Sequence, residues 1–270
     1  MNDVGKIRYS PILNHRYEQW FQERHYNEDK FSDVDKKEYL EMVEEATSHY
    51  LSGLPMMQGA LDWFKSSHDE YHATYCVVIS AIQFILMTMI DGMVLSKYFL
   101  LAEKDYERSL LRGKLKVILN EGFKKLYGFD EKTRKKSEWN KLDSVLEHFP
   151  DEIKRQYQHL SSLLEKHATS SSWWKDERDV ETHLDTEKLY ASRCEKIKES
   201  QVIIDFLKLF ETLNAVNLFL TNMHACLNNY LVDKYRRGEL QDVKNILCTN
   251  EQTTTSSQNM GIGKQDALEN

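Results

Sequence analysis

Apolar residues recur along this chain every three or four positions, the spacing that gathers side chains onto one face of an α-helix. In DVDKKEYLEMVEEATSHYLSGL, Tyr39, Val43, Ala46 and Tyr50 share such a face, and Asp33 or Ser32 stands where a cap belongs. Gly53 and Pro55 are expected to end that helix, with Met57, Ala60, Leu61 and Phe64 marking another over about 56–68. Residues 76–101, CVVISAIQFILMTMIDGMVLSKYFLL, are almost wholly apolar and predict a long helix from about 70 to 102. Leu111, Leu115, Ile118, Leu119, Phe123 and Leu126 form the buried stripe of the next helix, and Gly128 is its expected stop. A short helix over about 138–148 precedes Pro150, which suits the first turn of another helix. There Ile153, Tyr157, Leu160, Leu163 or Leu164, and His167 recur to about 168, and 168–172 read as a loop. Helix resumes through Leu189, Arg193 and Ile197 to Tyr235, with a break near Ser200.

No stretch alternates as a strand does, and no internal repeat is found. The predicted class is all-α: an up-and-down helical bundle with extra N-terminal helices and two central helices, near 76–101 and 202–232. Residues 1–30 read as an arm, broken by Pro11, and 31–240 as one helical domain with its core over about 70–236. From 241 to 270 periodicity disappears around TTTSSQ, the signature of a flexible tail.

Composition changes this picture little: three Pro and ten Gly in 270 residues are too few for many tight turns. The apolar run is long enough to span a bilayer, but Gln83, Asp91 and Lys97 interrupt it. A central Asp costs about 3 kcal/mol on insertion scales, so a bundle core is the better home and no membrane is expected. Cys76, Cys194, Cys226 and Cys248 are far apart, and no charged-then-apolar leader opens the chain. The expectation is free thiols in a cytoplasmic protein. His68 and His72 stand four apart, without an identifiable third ligand, so no metal and no cofactor are expected.

Charge adds more. A net −7 speaks against a general nucleic-acid coater, whose affinity rests on positive charge. Yet residues 104–141 hold twelve Lys and Arg against six Asp and Glu, a local +6. Such a run is either a solvated helix face or an electrostatic landing strip for a polyanion. Further on, Asn214, Asn217, Thr221, His224 and Asn228 share one face of an otherwise apolar helix. That line is either the solvent side or a polar seam, where each group needs a partner. Gln83 and Asp91, eight residues apart, are expected to face the seam, with Asp91 a hydrogen-bonded core acid.

Candidate chemistry concentrates in Trp173-Trp174-Lys175-Asp176-Glu177-Arg178-Asp179-Val180-Glu181-Thr182-His183, between two long helical patterns. Arginine is a fixed cation that grips phosphate through two donors, and histidine exchanges protons near neutral pH. In a straight helix Arg178 and His183 would stand roughly 140° apart and about 7.5 Å along the axis. They fit better near a helix start, where free N–H groups face an anion and Thr182 with Asp185 resembles a capping pair.

Arg178-Asp179-Val180-Glu181-Thr182-His183 is similar to the R-(polar)-x(3–5)-H motif of the HEPN superfamily, the helical nucleotide-binding and RNase domains of higher eukaryotes and prokaryotes. Asp179 fits the polar residue that follows the arginine, and the motif lies between long helices as in that family. Arg8 and His15 match the same spacing, but Tyr9 follows the arginine and Pro11 interrupts the stretch. The resemblance covers about 70–236. It implies a homodimer whose two-fold axis joins two Arg/His pairs, cutting single-stranded RNA without a metal by attack of the 2′-hydroxyl. His183 would handle the proton, Arg178 hold the phosphate and Asp179 orient one of them. Trp173 and Trp174 either stack unpaired bases or cover a core edge. Lys175, Asn217, His224 and Asn228 are further candidates for RNA or nucleotide contact. The resemblance implies an endoribonuclease of toxin or defence type, with an antitoxin-like protein partner. The alternative is a catalytically inactive HEPN-like module that binds a nucleotide or a protein.

Overall fold

The first helix, α1, runs unbroken over Asp33–Ser66 in the computed structural model, which describes residues 32–66, 71–170, 186–194 and 197–239. The break expected at Gly53 and Pro55 does not occur; Pro55 lies inside the helix. Proline removes one backbone hydrogen bond and costs about 3 kcal/mol there. Tyr39, Met42, Val43 and Ala46 before it and Leu61 and Phe64 after it are all buried. At roughly 1.5–3 kcal/mol for each large side chain, that packing outweighs the defect.

Helix α2, His72–Leu101, runs antiparallel to α1. Tyr39 donates its hydroxyl to Ser96 Oγ at 2.7 Å at one end of the pair, and Phe64 stacks on Tyr75 at 3.8 Å at the other. Lys97 pairs with Glu44 on the rim. Among the described residues α2 is the one helix long and apolar enough to cross a membrane. Ile79, Ile85, Met89 and Met93 on it are fully buried, as the centre of a bundle requires. Asp91 is exposed rather than a core acid. Eight residues leave a residual rotation of roughly 80°, enough to part it from Gln83, which donates to Gln58 of α1 at 3.1 Å.

Helix α3, Asp105–Leu126, returns antiparallel to α2. Glycines allow the close approach: a Cβ on Gly122 would stand 2.5 Å from Thr88 Cγ2. One on Gly92 would stand 2.8 Å from Phe206 Cε2, a side chain of the last helix. Helix α3 ends as expected, with Gly128 at φ +85°. The single short helix expected over 138–148 is instead two pieces, α5 (Glu138–Asp143) and a 3-10 turn at Leu146–His148, preceded by a one-turn α4 (Glu131–Arg134).

Helix α6, Asp151–Ser170, begins directly after Pro150 and lies antiparallel to α3. Trp139 of α5 stacks on Tyr157 of α6 at 4.7 Å and donates Nε1 to Ser161 Oγ at 2.8 Å. Helix α7, Thr186–Cys194, packs on α3, and α8 spans Glu199–Arg236. The break expected near Ser200 falls just before Glu199. Glu199, 2% exposed, pairs with Lys36 at 3.0 Å and Arg108 at 3.4 Å, tying the start of α8 to α1 and α3.

The protein is an all-α helical bundle, with no strand among the described residues. It divides into two compact units between Thr221 and Asn222, inside α8. The first holds every element named so far through Thr221. The described part of the second is the end of α8, with Met223, Leu227 and Leu231 buried, closed by Gly238 at φ +75°.

Candidate functional site

Arg178, Asp179 and His183, with Trp173, Trp174, Lys175 and the His68 of the His68/His72 pair, lie outside the described residues. The described residues on either side of the link carrying the motif both touch α3. Before it, the His167 ring lies 4.7 Å from that of Phe123. After it, Arg193 Nη1 donates to the Ser109 carbonyl at 3.1 Å.

The polar residues of α8 are neither solvent side nor core: Asn214, Asn217, Thr221, His224 and Asn228 are all half-buried. In the first unit, Thr221 donates its hydroxyl to the Asn217 carbonyl at 2.8 Å, and buried Asn217 Oδ1 has no hydrogen-bond partner among the described residues. In the second, burial pushes the His224 imidazole down to about 4. Near neutral pH it therefore offers donor and acceptor nitrogens but no positive charge. That limits the contribution open to His224 at a phosphate.

The basic segment resolves into two kinds of cation. Most are neutralised close by. Lys104 pairs with Glu107, Arg134 with Glu165, Lys135 with Glu131 and Lys141 with Glu138. Arg108 is drawn inward to Glu199, and Arg112 is buried. Lys125, Lys132 and Lys136 are different. Among the described residues none has a carboxylate within ion-pair distance, and all three are exposed, as is the unpaired Lys114 farther back on α3.

Those three, together with Lys124, line one cleft of about 530 Å³ where the end of α3 meets α4. Two carboxylates share the lining, and both are engaged. Glu121 pairs with Lys124 at 3.7 Å, and Asp130 caps α4 by accepting from the Thr133 N–H at 2.7 Å. The Thr133 contacts hold the Asp130 carboxyl below its usual range. Lys125 reaches over the Phe84 ring at 4.8 Å, and half-buried Phe129 forms an aromatic part of the wall, 5.4 Å from Phe123.

The turn that brings the lysines together is braced on three sides. Gly128 has a left-handed backbone, and a Cβ there would meet Arg134 N at 2.5 Å, so α4 can fold tightly over it. Arg134 bonds Glu165 of α6 at 2.7 Å, and Tyr127 donates to the same carboxylate at 2.8 Å. The Arg134 guanidinium also lies 4.7 Å from the Tyr127 ring. Burial and the neighbouring Glu165 carboxylate push the Tyr127 hydroxyl up to about 12, so it remains a donor. The charge run was legible in the sequence, but Phe129, Thr133, Tyr127 and Glu165 were not singled out. Only the Gly128 stop hinted at where the run would fold back on itself.

Comparison of the chain with protein-family models, with characterised proteins and with solved structures finds no match.

Proposed function

We propose that this protein is a metal-independent endoribonuclease of HEPN type that cuts single-stranded RNA. The reading is carried by Arg178-Asp179-Val180-Glu181-Thr182-His183, placed in the link between α6 and α7 of an all-α bundle. It gains support from α3, which carries basic residues and touches the described residues flanking that link. In this mechanism the ribose 2′-oxygen forms a bond to the adjacent phosphorus while the bond to the 5′-oxygen breaks. His183 takes the 2′ proton or returns one to the leaving 5′-oxygen, and Arg178 holds the charge that grows on the phosphoryl oxygens. Asp179 orients one of the pair. A homodimer would bring two such pairs together.

Purified full-length protein incubated with single-stranded RNA in EDTA tests this. Expected are fragments ending in a 2′,3′-cyclic phosphate, formed despite chelation and lost in His183→Ala. Equal residual cleavage by wild type and variant would remove the enzyme reading. The lysine-lined cleft favours a second reading, a catalytically silent module that binds a nucleotide. Its sign is protection against thermal unfolding by nucleotide with no cleavage.

A further inference from the structure

We infer that the cleft between the end of α3 and α4 is a binding site for consecutive phosphate groups, gripped by Lys124, Lys125, Lys132 and Lys136. Four ammonium groups around one cleft repel each other. Elsewhere in the basic segment carboxylates placed one helical turn away relieve such repulsion, as Glu131 does for Lys135. Here the wall sets only two acids against four lysines: Glu121 pairs with Lys124, and Asp130, the cap of α4, also feels the charge of Lys132. That leaves an excess of two positive charges in the wall, and a concave wall focuses the field that draws an anion to them.

Consecutive phosphates suit this wall better than a lone carboxylate. The four cations are carried in pairs on two elements, Lys124 and Lys125 on α3 and Lys132 and Lys136 on and after α4, so they flank an extended anion. A cleft of about 530 Å³ admits several phosphate groups together. The braced turn at Gly128, Asp130 and Arg134 fixes the distance between the two pairs in advance, so little ordering is left for binding to impose. The same chemistry is offered by a single-stranded RNA backbone and by a free polyphosphate. The RNA source rests on the function proposed above; the polyphosphate source does not.

The test uses the full chain carrying His183→Ala, so that binding is measured without cleavage. One probe is inorganic tripolyphosphate, followed by calorimetry; the other is a fluorescein-labelled single-stranded oligouridylate, followed by anisotropy. The Lys132→Ala/Lys136→Ala pair should weaken tripolyphosphate binding about tenfold, a modest loss because exposed pairs are screened. A Lys104→Ala/Lys114→Ala pair removes the same net charge from elsewhere in the basic segment and should leave binding unchanged. If RNA is the ligand, its affinity falls in the same variant, and the slope of log affinity against log salt shrinks by about 1.4. If only tripolyphosphate responds, the site holds and its natural ligand is a free polyphosphate. Equal losses in the two double variants, or no binding of either probe at about millimolar concentration, overturn the inference. Cleavage that vanishes in His183→Ala while both probes ignore the cleft variants would leave the nuclease standing and this site refuted.

Discussion

Gly122 shows how a single missing carbon sets the spacing of two helices. Alanine there would gain about 1 kcal/mol of helix propensity. Its Cβ, however, would sit 2.5 Å from Thr88 Cγ2, and overpacking of that kind costs about 1–3 kcal/mol. Gly122→Ala is therefore expected to lower stability in urea unfolding, where propensity alone predicts a rise. His224 carries a second residue-scale expectation. Folded, it stays neutral down to about 4; unfolded, it protonates near 6.5. Between those values the unfolded chain binds more protons. The stability contributed by the neutral imidazole is full above about pH 6.5 and is lost as pH falls toward about 4, by at most about 1.4 kcal/mol per unit. His167, also lowered by burial, acts in the same direction. Urea midpoints at about pH 7 and about pH 5 should differ less in His224→Asn than in wild type; an unchanged difference sinks the assignment.

At the scale of elements, α1 is the place where local rules lose. Gly53 and Pro55 announce a stop that the structure does not make, because burial on both sides of the proline outweighs one missing hydrogen bond. Pro55 is exposed, so replacing it removes the defect without opening a cavity. Pro55→Ala is expected to raise stability by about 1–3 kcal/mol, seen as a higher melting temperature at unchanged helix content. Had the proline marked a true helix end, the substitution would be neutral. Helices α2, α3 and α6 were legible because their apolar positions recur over many turns, with a stop at Gly128 for α3 and a start at Pro150 for α6. The division of 138–148 into a short helix and a 3-10 turn was not legible. Trp139 there stacks on Tyr157 of α6, a contact across elements that no local window contains.

For the whole molecule, the proposed nuclease needs two copies, since one chain supplies only one Arg178 and His183 pair. Light scattering at micromolar concentration should return about twice the 31.9 kDa of a single chain. A monomer would count against both the nuclease and its silent relative as HEPN-type assemblies. The basic segment also changes meaning at this scale. Its local +6 left a solvated face and a polyanion strip both open, while folding pairs many of its cations and gathers Lys125, Lys132 and Lys136 at one turn.

The sequence by itself determined the all-α class, the apolar centre of α2, the stop at Gly128 and the residues proposed for chemistry, because helical period and residue type are local properties. Tertiary structure alone decided that α1 continues through Pro55, that Asp91 faces water and that Glu199 is held between Lys36 and Arg108. It also decided which lysines share a cleft. Each of those outcomes depends on side chains distant in sequence competing for the same volume or the same charge, and that competition exists only once the helices meet.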